Sequence, residues 1–238
     1  MAINFASKEE GSFRITTNSE GWKYPKVPVD EVYNSTHNTM MNSEFLFGPS
    51  RWSKAKKLFR VFPSYYVKDF EKTIVLKAND QDVTLKLLKS RKKFPNNGYV
   101  HLGLVQIAIK PLVSDILGDP DPDPVIVCLR DARFLTLENS LLSVVESDLA
   151  QGPFYFNRCP GYTIPWKDRE ILTLNIMTGG VPLALTYRVV YKVSKDITLD
   201  LRKSILGETT YFQPMATTQT ESTTKWDEVQ FPESWDRV

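Results

Sequence analysis

Gly98-Tyr-Val-His-Leu-Gly-Leu-Val-Gln-Ile-Ala-Ile-Lys-Pro111 and, a short loop later, Val125-Ile-Val-Cys-Leu-Arg-Asp131 decide the reading of this chain. Both segments are rich in β-branched and aliphatic residues, so they read as strands. On a strand, alternate side chains point to opposite faces. Val125, Val127, Leu129 and Asp131 therefore share one face, and Ile126, Cys128 and Arg130 the other. Asp131 continues an apolar row just where the strand ends. A buried carboxylate there is costly unless it is hydrogen-bonded or paired. It can accept backbone N–H bonds of the following turn, or pair with Arg133.

Working outward, the pattern stays mostly β. Lys72–Lys77 and Val83–Lys89 alternate around Asn79-Asp80 and predict a hairpin. Phe154–Asn157 is short. Ile171–Met177 and Leu183–Val193 flank the turn signal Thr178-Gly-Gly-Val-Pro182, and Ser12–Thr17 and Ile197–Leu201 are further candidates. The fold class predicted is mainly β: about eight strands, enough for a β-sandwich or jelly roll, with one or two short helices. Thr136–Gln151 reads as a helix, with Leu137, Leu141, Leu142, Val145 and Leu149 at three-to-four spacing, Thr136 as N-cap and Gly152 as stop. Arg51–Phe62 reads as a second helix, basic and amphipathic. Three parts are predicted: a polar arm over 1–48, a core over 49–210 and an acidic, Thr-rich tail over 211–238, both ends poorly ordered. Trp226, Phe231 and Trp235 in the tail either anchor a partner or fold back on the body.

The charge pattern narrows function more than the net charge of +2 does. Residues 51–93 hold thirteen Lys/Arg against four Asp/Glu, net +9, inside an otherwise mildly acidic chain. Such a block fits phosphate backbones or anionic lipid. Lys86, Lys89, Arg91, Lys92 and Lys93 form a fringe suited to sequence-independent phosphate contacts. Phe94 and Tyr99 lie close enough in sequence to stack on single-stranded bases. On the helix, Lys54, Lys56, Lys57 and Arg60 line the polar arc, and this face fits nucleic acid, an anionic lipid surface or plain packing.

Catalysis finds no support in the residues. The two histidines, His37 and His101, sit in a polar arm and on a strand. No nucleophile elbow, phosphate-cradling glycine loop or zinc spacing appears. Asp119, Asp121 and Asp123 alternate with prolines and read as a solvated loop. Cys128 and Cys159 read as small buried hydrophobes. We expect no enzyme activity, no cofactor and no metal. The first ten residues lack a signal-peptide pattern, and no stretch nears the roughly 20 apolar residues of a membrane span. Because the two cysteines form no disulfide framework, a reducing, intracellular setting is the default expectation.

Four ordered blocks carry a resemblance: Gly98-Tyr-Val-His-Leu-Gly-Leu-Val, Val125-Ile-Val-Cys-Leu-Arg-Asp-Ala-Arg133, Cys159-Pro-Gly-Tyr-Thr-Ile-Pro-Trp-Lys-Asp168 and Gly180-Val-Pro-Leu-Ala-Leu-Thr-Tyr-Arg-Val-Val-Tyr191. In order and approximate spacing they resemble the plant-virus cell-to-cell movement proteins of the 30K superfamily. The run Tyr191–Arg202 resembles its tobamovirus-like branch. The family's most characteristic aspartate falls on Asp131, and Gly103 and Asp168 match weaker positions. The resemblance implies a non-enzymatic protein that binds single-stranded RNA, the viral genome, without sequence preference and moves it through plasmodesmata. It implies host plasmodesmal and endoplasmic reticulum membrane partners, self-association, and a location at cell junctions, in the cytoplasm and at the reticulum. The alternative is a capsid-like jelly roll that assembles with itself.

Overall fold

The computed structural model describes residues 24–34, 65–88, 98–113, 123–195, 197, 207–214 and 218–235. Among them the strands are β1 (Tyr65–Leu76), β2 (Asp82–Lys86), β3 (Tyr99–Pro111), β4 (Pro124–Asp131), β5 (Leu141–Asp148), β6 (Phe154–Arg158), β7 (Tyr162–Pro165), β8 (Leu172–Thr178), β9 (Leu183–Ser194), β10 (Glu208–Pro214) and β11 (Gln219–Lys225). Two short α-helices accompany them, α1 (Val29–Asn34) and α2 (Leu137–Ser140).

The strands form two antiparallel sheets. Sheet A runs β1-β9-β3-β6-β10-β11, with β7 also on β3, and sheet B runs β2-β8-β4-β5. The pairs β1–β9, β2–β8, β3–β6 and β4–β5 are nested. A chain folded back on itself this way and then wrapped gives a jelly roll. The sandwich expectation therefore holds, and β7, β10 and β11 are additions to it. The same wrapping explains one difference. The turn at Asn79-Asp80 is present, with Asp80 N donating to Lys77 O at 2.9 Å. Yet β1 and β2 do not pair as a hairpin; they part into different sheets.

Between the sheets lies one large apolar core, and its inward rows follow the two-residue alternation. Val125, Val127 and Leu129 of β4 face it, while Ile126 and Cys128 face outward into a smaller cluster. Full burial of each such aliphatic side chain contributes about 1.5–3 kcal/mol.

The expected helix Thr136–Gln151 is instead the single turn α2 followed by β5. The cause is a bulge. Leu129 pairs with Ser143 but Arg130 with Leu141, so Leu142 is the extra residue. It lets Leu142 and Val145 both reach the main core at a spacing of three, which imitates a helix. Val144 and Val145 are β-branched and pair with Cys128 and Val127 along the edge of β4.

The C-terminal segment also differs from the poorly ordered tail expected. Its threonines are strand formers, and β10–β11 pairs from Glu208↔Lys225 to Pro214↔Gln219. Their hydroxyls serve the free edge of β5: Val144 N donates to Thr209 Oγ1 at 3.2 Å and Glu146 N to Thr224 Oγ1 at 3.3 Å. The aromatic residues beyond fold back. Trp226, Phe231 and the buried Trp235 pack with Ile126, Cys128 and Val144 on the outer face of sheet B. Trp235 Nε1 donates to Asp82 Oδ1 at 2.8 Å.

At the other outer face, Tyr24 to Asn34 crosses sheet A. Gly103 is the bulge residue of β3, between Leu102↔Tyr191 and Leu104↔Val190. A Cβ there would lie 2.6 Å from Val32 Cγ1 and 2.7 Å from Tyr33 Oη. Glycine is what lets α1 sit this close. We expect Gly103→Ala to cost about 1–3 kcal/mol, read as a lower thermal midpoint. Val32→Ala in the same chain should recover part of the loss; an unchanged midpoint for the single variant would contradict this packing.

Candidate functional site at one end of the sandwich

The pairings bring several chain segments to one end of the sandwich. β4 ends at Asp131, opposite Leu172 where β8 begins. Leu87, just past β2, donates its N–H to Leu172 O at 3.0 Å. Gly98, just before β3, accepts from Trp166 N at 2.8 Å. Trp166 opens the 3-10 turn Trp166–Ile171, which contains Asp168. Ala132 N donates to Ile171 O at 2.8 Å, which ties the Asp131 turn to that same turn.

Asp131 is the best-held group here. Its carboxylate is 2% exposed. Oδ1 accepts from Arg133 N and Arg133 Nε, each at 3.0 Å. Oδ2 accepts from Arg133 Nε at 3.1 Å and Nη2 at 2.6 Å. Both roles read from the sequence, turn acceptor and partner of Arg133, are thus realised together. The turn closes with Phe134 N donating to Asp131 O at 3.2 Å. It projects Phe134 and Leu135 into solvent, 48% and 75% exposed.

Of the basic residues singled out, Lys86 is described, and its Nζ lies 3.0 Å from Glu170 Oε2 in an exposed pair. Lys54, Lys56, Lys57, Arg60, Lys89, Arg91, Lys92 and Lys93 lie outside the described residues, as does the expected helix Arg51–Phe62. The nine residues 89–97 join Leu88 to Gly98, so this basic connection leaves and returns at the end that holds Asp131 and Asp168. Asp168 is partly buried in its turn. Next to it the Arg169 guanidinium stacks 5.0 Å from the Trp166 ring centre and Arg169 Nη1 donates to Trp166 O at 3.0 Å.

A second polar cluster, on the outer face of sheet A, escaped the sequence reading. Arg188 of β9 is buried and grips Asp69 of β1 with two nitrogens, Nε at 3.0 Å from both carboxylate oxygens and Nη2 at 2.8 Å from Oδ2. Its Nη1 donates to Gln106 Oε1 at 2.6 Å. The available signal was a Gln and an Arg interrupting apolar strands. On the same face His101 is structural: Tyr33 Oη donates to its carbonyl at 2.9 Å and stands 3.2 Å from Nδ1. Burial pushes the Lys192 ammonium below its ordinary range, and the Tyr33 ring lies 6.0 Å from it. Cys128 behaves as the small buried hydrophobe expected, its thiol pushed up by burial. Among the described residues no cluster of His, Cys, Asp or Glu has the makings of a metal site.

Comparison with known proteins gives two findings. A family model described as viral movement protein (MP) matches residues 31–205. A solved structure titled Desmodium yellow mottle tymovirus aligns over 60% of this chain and 86% of that chain, at 10% identity and a TM-score of 0.35. The fold assignment rests on the strand pairing above rather than on that likeness. No curated protein matches.

Proposed function

The chain belongs to the viral movement protein family, and from that premise we propose that it binds single-stranded RNA without sequence preference and carries the viral genome between host cells through plasmodesmata. In this reading the jelly roll is a scaffold and performs no catalysis. Lys86, Lys89, Arg91, Lys92 and Lys93 supply phosphate contacts, with Lys54, Lys56, Lys57 and Arg60 as a second basic patch. The Asp131 turn shapes the same end.

One observation carries this reading. The sequence segment with the densest positive charge begins and ends beside Asp131 and Asp168, two positions that match the family's pattern. A basic connection held at both ends by strands suits backbone-directed, sequence-independent binding. The exposed Phe134 and Leu135 at that end suit a host partner, plasmodesmal or reticulum membrane components included. The jelly-roll topology also keeps a capsid-like, self-assembling role in play, since capsid subunits use it. Electron microscopy of purified protein discriminates, with closed shells favouring that role.

The direct test is a gel-shift salt titration on single-stranded RNA. Neutralising Lys89, Arg91, Lys92 and Lys93 together to glutamine should weaken binding and flatten the slope of log affinity against log salt by about 3, at roughly 0.7 for each phosphate that is no longer neutralised. A parental slope in that variant would remove these residues from the interface.

A further inference from the structure

The segment Tyr24 to Asn34 contacts the sandwich as a bound peptide would. Gln106 Nε2 donates to Pro25 O at 3.2 Å, and Val27 N donates to Gln106 Oε1 at 3.2 Å. Arg188 Nη1 donates to Val27 O at 2.7 Å. One side-chain amide thus reads the backbone on both sides of residue 26, and a guanidinium reads it again. Tyr24 rests on Tyr155, ring centres 6.0 Å apart, beside Ala108. Val27 and Val32 enter a second apolar site with Leu104 and Val190. Gly103 leaves room for α1 over the bulge.

The two polar groups of the socket are also held from within the sheet. Gln106 donates to Asn157 Oδ1 at 2.9 Å. Arg188 is 4% exposed and is held by Asp69. Gln106 on β3 and Arg188 on β9 lie 79 and 161 residues from the Val27 backbone groups they serve, and their own partners Asn157 and Asp69 lie on β6 and β1. Thirty residues, 35–64, separate this segment from β1. Fully extended, that much chain spans up to about 100 Å. The contacts are chemically the same whether the segment comes from its own chain or from a neighbour. Effective concentration then decides which, and exchange of an identical element is a low-cost route to association.

We propose that this strap is exchanged between copies: Tyr24 to Asn34 of one copy docks on the outer face of sheet A of a second copy, so that Gln106 and Arg188 receive a neighbour's backbone. Crowding of copies along a shared partner raises the local concentration and favours the exchanged form. This deepens the self-association part of the proposed function, and its test contains no nucleic acid, so the two fail separately.

The experiment uses the full chain and light scattering across a wide range of protein concentration. Exchange predicts that mass rises from one chain to two or more as concentration increases. An excess of synthetic peptide spanning Tyr24 to Asn34 should return it to one chain, and a scrambled peptide should not. A mass of one chain at every concentration overturns the proposal. So does an assembly that the peptide leaves intact, because that assembly uses another surface.

Discussion

Asp131→Ala should abolish spread between cells and lower folding stability by about 2–3 kcal/mol. The carboxylate is buried and accepts four hydrogen bonds from Arg133, one from its backbone and three from its guanidinium. Bonds to a charged partner are worth about 1.5–3 kcal/mol each in favourable settings. Arg133 is 45% exposed, so its guanidinium regains water when the partner is removed, and the sum is discounted heavily. Most of the remaining cost is the turn itself: the Arg133 N–H loses its acceptor and the link from Ala132 to Ile171 loosens. For a chain of this size the thermal midpoint should fall by roughly 5–10 °C. Asp131→Asn keeps one oxygen for the backbone N–H and should lose about half as much. The spread assay is read beside the melting curve, at a temperature where the variant is folded. A variant that matches the parent in both would remove Asp131 from the account.

Arg188→Met should be at least as destabilising, about 3–4 kcal/mol. The substitution keeps an unbranched apolar stem but removes the guanidinium and with it the donors to Asp69, Gln106 and Val27. Removing one partner of a buried pair strands the groups left behind, at about 3–5 kcal/mol. Asp69 is 38% exposed, which places the figure toward the lower end. Adding Asp69→Asn to Arg188→Met should restore about 1–2 kcal/mol, since the stranded charge is gone. Denaturant midpoints of the two single variants and the double variant measure this. Additive losses would mean that the pair is not coupled.

These two residues also show where the sequence was legible. Along β4 the alternation assigned each face, and Asp131 had a partner two residues away, so its environment was readable from the row it ended. Arg188 has its carboxylate 119 residues distant, and no local pattern points from one to the other. Periodicity failed where the backbone is irregular. The bulge at Leu142 gave β5 a helical spacing, and only the edge of β4, which needs a ladder partner, resolves it. Turns were found at Asn79-Asp80 and Thr178–Pro182, but a turn does not say whether its strands pair. In a wrapped sandwich they go to opposite sheets. The tail misled through composition: its threonine-rich run reads as low complexity, yet as β11 it pairs with β10, and β10 in turn lies on the edge of β6, as in Tyr211↔Phe156. Of the basic residues proposed as phosphate contacts, Lys86 is described, and the flanking Leu88 and Gly98 place the two ends of the connection.

The central claim is that this chain carries a viral genome from cell to cell by way of its basic connection. It is tested most directly by supplying the chain to a viral genome that lacks its own movement function and counting infected cell clusters in leaf epidermis. The parent chain should let infection reach neighbouring cells. The variant neutralised at Lys89, Arg91, Lys92 and Lys93, accumulating to the same level, should leave infection in single cells. Infection confined to single cells with the parent chain would contradict the claim, and so would equal spread with the neutralised variant.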